Sequence, residues 1–300
     1  MASFAKPSFP TSNYASDRPT YPQELYQFLY NFHKKSGKAG WDRAIDLGCG
    51  TGQVLTELTP FKQVYGVDAS DVMLAEAKKT VEKLSLPQQV RFVKSTAENL
   101  SYFKDSSVDM IFSGQAAHWF NYDELWKELA RVLKPNGSFA LWGYSEFRSP
   151  KYPSLTPIVV EYMLGTDPEN TLGQYWQQPG RRILDNHFLD VPPPSEKDFA
   201  DWQLVKFTGP HYPNITDSKP VIMKKRISWK GLDAYCRTMS GYHTYQEQNP
   251  LDATRQHIGD GDIIQRFIKR LKDGIRAVGD EPGEYLDIDW PVAIMMARRK

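Results

Sequence analysis

The sequence predicts an α/β fold: a doubly wound, mostly parallel sheet with a helical, aromatic-rich C-terminal lid over it. Three observations carry this. Short strand-like runs alternate with helical patterns up to Tyr144, which calls for βαβ crossovers and hence parallel neighbours. A glycine-rich turn, DLGCGTG (Asp46–Gly52), follows the first of those strands directly and opens a helix. Beyond Tyr144 the alternation stops, prolines thicken and aromatic residues rise.

Each element has a local reason. PQELYQFLYNFHKK (Pro22–Lys35) sets Leu25, Phe28, Leu29 and Phe32 on one helical stripe. RAIDLG (Arg43–Gly48) is a short apolar strand, a brief helix follows around Gln53–Leu58, and QVYGVD (Gln63–Asp68) is the second strand. SDVMLAEAKKTVEKL (Ser70–Leu84) is a helix that Ser70 can cap. VRFVKS (Val90–Ser95) and VDMIFS (Val108–Ser113) are strands three and four. YDELWKELARVL (Tyr122–Leu133) is helical and stops at KPNG, a turn signal, before strand five, SFALWGY (Ser138–Tyr144). Farther on, FADWQLVKFTG (Phe199–Gly209) alternates like a strand and WKGLDAYCRTMSGYH (Trp229–His243) carries a helical stripe. YLDIDWPVAIMMARRK (Tyr285–Lys300) reads as one final buried strand. The division expected is a core over 1–147 with an N-terminal arm, and a lid plus the last strands over 148–300.

Composition narrows the function classes. Thirty-seven Lys and Arg against 36 Asp and Glu leave a formal charge of +1, which gives no electrostatic case for nucleic acid or an anionic membrane. Two cysteines and six scattered histidines offer neither a disulfide framework nor metal-ligand spacing, so no metal is expected. The polar, proline-rich N-terminus lacks the apolar stretch of a secretory signal. No run of about 18 apolar residues occurs. The expectation is a soluble cytoplasmic protein with a small-molecule partner.

Glycines at 48, 50 and 52 let the backbone approach a ligand. A glycine triplet alone is often only a turn, but this one joins a strand to a helix in the first βαβ unit. Asp68 ends the next strand, where a carboxylate can accept both hydroxyls of a ribose. The spacing is G-x-G-x-G followed by Gln53, not the G-x-G-x-x-G that serves a pyrophosphate. Asp46, just ahead of the turn, suits a cationic or zwitterionic ligand. An amino-acid tail on a nucleoside meets both demands, and S-adenosylmethionine is such a molecule.

DLGCGTG, GVDAS (Gly66–Ser70), STAENL (Ser95–Leu100), VDMIFSGQAAHWF (Val108–Phe120) and LKPNGSFALWGY (Leu133–Tyr144) together resemble the class I S-adenosylmethionine-dependent methyltransferases. The resemblance implies a Rossmann-like sheet of seven strands with the last one antiparallel. It implies S-adenosyl-L-methionine as cofactor, leaving as S-adenosyl-L-homocysteine. Cofactor contacts would come from Asp46, Gly48, Gly50 and Gly52, from Asp68 and Ala69 at the ribose, and from Gly114 and Gln115 beside the methionine part. Many relatives carry an acid where this chain has Thr96, so the adenine amino group falls to Thr96 or to backbone near Ala97.

YASDRPTYP (Tyr14–Pro22), AHWF (Ala117–Phe120), WGY (Trp142–Tyr144), YWQQPGRR (Tyr175–Arg182) and DAYCRTMSGYH (Asp233–His243) are similar to fungal trans-aconitate methyltransferases. They are similar too to a related group that modifies other small carboxylic acids or the toxin cantharidin. By that resemblance Tyr14 and Arg18 fold over the cofactor, Arg18 facing its carboxylate with a planar fork; the alternative is that Arg18 pins the arm to a surface acid. The acceptor pocket would draw on Gln115, His118 and Trp119, on Tyr175 and Trp176 as walls, on Arg181 or Arg182 as carboxylate clamp, and on Tyr242. Arg237 and His243 on the same late helix are weaker candidates, since that spacing also suits a helix facing the core.

A carboxylate acceptor is already ionised at neutral pH. The function expected is therefore in-line methyl transfer to a small di- or tricarboxylic acid, giving a methyl ester without a general base. His118 then has no proton to take, and is either a hydrogen-bond donor to the acceptor or a packed imidazole. The rival readings are O- or N-methylation of another small metabolite, such as a phenol, and a cofactor-binding regulator without turnover. The [DN]-P-P-[YFW] tetrad of nucleobase methylation is absent, SGQAAHWF standing in its place, and the paired glutamates of protein arginine methylation are missing.

Overall fold

A computed structural model describes residues 17–84, 86–252, 254 and 261–300 of the chain, so Tyr14 lies outside the described residues. The main sheet holds β1 (Arg43–Leu47), β2 (Gln63–Asp68), β3 (Gln89–Lys94), β4 (Val108–Gly114), β5 (Leu133–Tyr144) and β6 (Phe199–Phe207). A separate antiparallel pair is formed by β7 (Met223–Ser228) and β8 (Tyr285–Trp290), and β9 (Val292–Arg299) returns to the main sheet. The main order is β3-β2-β1-β4-β5-β9-β6. The first five strands are parallel, and β9 runs antiparallel to both its neighbours. The expected Rossmann-like seven-stranded sheet is present, with its last strand in sequence antiparallel.

The central strands are buried on both faces, so they read as continuous apolar runs. Ala44, Val64, Met110 and Phe112 face one core cluster, while Ile45, Val67, Ile111 and Phe139 face the other. Helix α1 (Gln23–Lys34) covers the first face with Leu25, Tyr26, Leu29 and Phe32. Helix α2 (Asp71–Glu82) starts at Ser70, whose hydroxyl accepts the N–H of Met73 at 3.4 Å. Helix α3 (Tyr122–Val132) lays Leu125, Trp126, Leu129 and Val132 on the second face.

Several expectations are corrected. The brief helix around Gln53–Leu58 is a single 3-10 turn, Leu55–Glu57. KPNG does not precede strand five but bulges within it: Val108 pairs with Leu133 and Met110 with Ser138, leaving Lys134–Gly137 opposite Asp109 alone. Asp109 explains the bulge. Its buried carboxylate accepts the N–H groups of Asp42 (3.1 Å) and Arg43 (2.8 Å) and takes Lys134 Nζ from the bulge at 2.8 Å. Tyr285–Lys300 is two strands, broken at Pro291, which has no N–H to give a ladder.

Helices α4 (Thr156–Leu164) and α5 (Gly180–Asp185) follow β5, and the stripe over Trp229–His243 is likewise two elements, α6 (Trp229–Arg237) and α7 (Ser240–Gln248). Thr238 turns its hydroxyl back onto the carbonyl of Tyr235 at 2.6 Å, and Met239 is extended, which separates them. Helix α8 (Ile263–Ala277) was not among the expected elements, although Ile264, Phe267, Ile268, Leu271 and Ile275 make one apolar face. Phe267 stacks on Tyr162 of α4 with centroids 3.8 Å apart. One core cluster thus runs from α1 through the sheet to α4, α6, α7 and α8. No helix among the described residues is long and apolar enough to cross a membrane.

Asp109 lies at the end of β4 far from the glycine turn. Asp109→Ala leaves two backbone donors without their acceptor. It is expected to cost about 2 kcal/mol of stability in urea unfolding, with affinity of the folded protein for S-adenosyl-L-homocysteine unchanged in calorimetric titration.

Candidate active site

The carboxyl ends of β1 and β4 lie side by side where the strand order reverses, the place at which open α/β sheets hold ligands. A cavity of about 280 Å³ opens there. Its floor is the glycine turn. Gly48 and Gly50 are both left-handed, at φ +64° and +53°. A Cβ on Gly48 would come within 2.5 Å of Ala116, so the turn touches the loop after β4; at Gly50 the corresponding space is empty and backbone faces the cavity. Gly52 corrects an expectation. It does not line the cavity, and a Cβ there would meet Ala77 of α2, so it serves the turn.

Asp46 lines the cavity fully buried, and neither carboxylate oxygen has a hydrogen-bond partner among the described residues. Burial first, and the charge of Asp68 second, push its pKa well above the ordinary value. Asp68 accepts the N–H of Gly50 at 2.9 Å and of Ser70 at 2.8 Å, tying the turn to the end of β2. Burial raises its pKa in spite of those bonds, and each oxygen keeps a lone pair for a hydroxyl. Ala69, Thr96 and Ala97 line the far end, with Gly114 and Gln115 at the near end. Two walls, Tyr21 and Glu98, were not anticipated. Glu98 already accepts the N–H of Asn121 at 2.8 Å. An open glycine backbone, an orphaned buried carboxylate and a second acid at the next strand end fit a nucleoside that carries an ammonium group.

A second cavity of about 60 Å³ adjoins the first and shares Arg18, Gln115, Trp119 and Tyr144 with it. His118, Glu146, Trp176 and Arg181 close one side, and Tyr235 and Met239 from the α6–α7 junction close another. Arg18 reaches inward: Nη1 donates to the Tyr144 hydroxyl at 3.0 Å, Nη2 to the carbonyl of Thr238 at 3.2 Å, and the guanidinium stands over the Tyr235 ring. Arg181 donates from Nε to Asp185 at 2.9 Å and from Nη2 to Glu146, and lies 4.4 Å over the Trp176 ring.

Glu146 was not foreseen, because SEFRS after strand five reads as loop. It is buried, which pushes its pKa up, but Arg181, then a hydrogen bond with Asp185, then Arg148 outweigh this and hold it below the usual carboxylate range. Burial holds its neighbour Asp185 above that range. His118 is buried with Nδ1 unpartnered; burial, then Arg181 and Arg18, push its pKa down to about 3, so the imidazole is neutral.

Three expected acceptor residues fall elsewhere. Arg182 is exposed on the outer side of α5, since consecutive helical residues point about 100° apart. Tyr175 is packed against Tyr245, and its hydroxyl donates to the carbonyl of Pro168 at 2.9 Å. Tyr242 is buried, its hydroxyl accepting from Arg237 and Gln246, both at 2.7 Å. Arg237 reaches on to Asp262 at the start of α8, and His243 pairs with Glu247; neither lines either cavity.

Residues 45–141 match a family model described as a methyltransferase domain. The chain is 27% identical to the probable S-adenosylmethionine-dependent methyltransferase CRG1 of Saccharomyces cerevisiae, over 99% of this chain and 98% of that one. It is 26% identical to a putative methyltransferase of Dictyostelium discoideum, over 97% and 93%. The solved structure of a putative type II methyltransferase from Anaeromyxobacter dehalogenans shares the fold, with a TM-score of 0.63 at 24% identity over 94% of this chain and 97% of that one.

The orphaned Asp46 carboxylate generates a paired prediction. Between its ordinary and its raised pKa, the ligand-free fold holds a proton on Asp46 that the unfolded chain has lost. That contribution is full below the ordinary value of 3.8 and disappears as pH rises to the raised one. Asp46→Asn should therefore raise the ligand-free Tm, by a margin that widens with pH across that window. The same substitution should weaken S-adenosyl-L-homocysteine binding by roughly 10- to 100-fold. It should also abolish the proton release seen as a buffer-dependent binding enthalpy. A variant with unchanged affinity and unchanged Tm would contradict both.

Proposed function

We propose that this chain, which is a class I S-adenosylmethionine-dependent methyltransferase, makes methyl esters of small di- or tricarboxylic acids of the trans-aconitate kind. One observation carries the choice of acceptor. Among the described residues, the smaller cavity has two guanidinium groups in its wall and no competent base. His118 is held at about pKa 3 and Glu146 below the usual carboxylate range. Both are too weakly basic to take a proton from a phenol near pKa 10. A carboxylic acid is ionised already and asks for no base.

Asp46 would hold the cofactor's ammonium, Arg18 its carboxylate, Asp68 its ribose, and Thr96 with Ala97 its adenine. When bound, S-adenosylmethionine would supply the methyl group, given up from its sulfonium sulfur to an acceptor carboxylate oxygen, and would leave as S-adenosyl-L-homocysteine. The chain's own part is alignment and exclusion of water. Trp119 and Trp176 wall the acceptor, Arg181 orients it, and the elements of 148–300, α5 to α7 foremost, act as the lid. Orientation of this sort is worth on the order of 7–11 kcal/mol.

Methyl-labelled cofactor offered with a panel of di- and tricarboxylic acids should transfer label to a base-labile product. A base-stable product, or transfer only to phenols and amines, would sink the assignment. His118→Gln should raise the acceptor KM several-fold and leave kcat within about threefold, a loss of positioning alone. A fall of several orders of magnitude in kcat, recovered at high pH, would instead make His118 the base.

A further inference from the structure

Gln115 was expected to touch ligands, yet both ends of its side-chain amide are committed to protein backbone. Oε1 accepts the N–H of Tyr144 at 2.7 Å, and Nε2 donates to the carbonyl of the same residue at 3.1 Å. Its own N–H donates to the carbonyl of Trp142 at 2.8 Å. The reason is topological. The β4–β5 ladder ends with Gly114 opposite Trp142, and the chain then swings away through a left-handed φ of +58° at Gln115. Tyr144, one ladder step farther on, is buried and would be left with an unpaired donor and acceptor facing β4. A primary amide is the side chain that carries one of each with the geometry of a peptide. A left-handed non-glycine backbone is strained and persists where surroundings demand it.

We infer that Gln115 is a positioning residue: its amide completes the β4–β5 ladder at Tyr144 and so fixes the phenol that holds Arg18 at the wall shared by both cavities. The chain of contacts is continuous. Gln115 clamps the Tyr144 backbone on both sides, the Tyr144 ring is braced by Tyr21 and Trp290, and its hydroxyl accepts from Arg18 at 3.0 Å. An Arg18 held in this way presents its fork to a carboxylate without first searching rotamers. The inference rests on the reading of Arg18 as partner of the cofactor's carboxylate.

Calorimetric titration with two probes tests it. S-adenosyl-L-homocysteine carries the amino-acid carboxylate, and 5′-deoxy-5′-methylthioadenosine lacks it. Gln115→Ala, Gln115→Glu and Tyr144→Phe should each weaken the first probe roughly tenfold and leave the second within twofold. Combining Gln115→Ala with Tyr144→Phe should add little to either. In Gln115→Glu the ionised carboxylate cannot donate to the Tyr144 carbonyl, whereas the protonated acid can. Its affinity relative to wild type at the same pH should recover as pH falls, while that of Gln115→Ala stays low; the ratio cancels the titration of Asp46. Parallel loss of both probes, or no recovery in the glutamate variant, would reduce Gln115 to a purely structural part. Arg18→Ala separates the layers. Unchanged S-adenosyl-L-homocysteine binding in it overturns the reading of Arg18 and the inference with it. A loss there with none at Gln115 or Tyr144 overturns the inference alone.

Discussion

The chain leaves β1 and β4 in opposite directions although the two strands are neighbours, and the site is a consequence of that reversal. Backbone at the parting must bend sharply on both sides. It does so through Gly48 and Gly50 on one flank and through Gln115 on the other, all left-handed. The flanks meet at Gly48 and Ala116, where a side chain on the glycine would force them apart. Strain and ligand-binding surface therefore occupy the same few residues. Where the β4–β5 ladder ends, the Gln115 side chain pairs with the backbone of Tyr144.

Charge is divided across this cleft. Asp46 and Asp68 line the larger cavity, Arg181 lines the smaller one, and Arg18 stands in the wall shared by both. The two acids are the less settled, since burial raises both and Asp46 has no donor at all. Stability is being given up at a position that an apolar or amide side chain would fill more comfortably, which is the usual trade at a binding site. Glu146, beside the second cavity, is by contrast satisfied internally. It takes Arg181 and the hydroxyl of Tyr212, and Arg148 covers its other side.

Legibility followed the range of the interactions. The first five strands and three helices are set by local periodicity, a glycine turn and a serine cap, and all were visible as patterns. What depended on distant partners was not. The bulge at KPNG needs Asp109 across the sheet, and although Pro291 marks the split of the last strand, the partner that takes up β8 is the distant β7. Arg181 and Arg182 are indistinguishable as neighbours in a string; the phase of a six-residue helix, fixed by Gly180 packing under Trp119, decides between them. Tyr175 and Tyr242 have the composition of pocket walls but are spent on Tyr245 and Arg237. Gln115 stood out as a site residue, while its partner, the backbone of Tyr144 on the next strand over, had no signature.

The proposed acceptor raises an electrostatic difficulty that the arrangement answers. A cationic donor and an anionic acceptor lose their charges as the methyl passes, so a wall that binds a bare carboxylate strongly stabilises the ground state more than the transition state. Strong charge pairing is useful only on groups that do not react. In the proposed reading Asp46 and Arg18 would face such groups, the ammonium and carboxylate of the cofactor's amino-acid end. Arg181, which lines the smaller cavity, already has Glu146 and Asp185 against it. Its positive charge is largely matched before any ligand arrives, and what it still offers is a hydrogen-bonding edge of fixed direction. Such an edge orients a carboxylate while adding little net field to hold it back. The buried acid beside the acceptor cavity, which looks hostile to an anion, is on this view what keeps Arg181 from binding it too well.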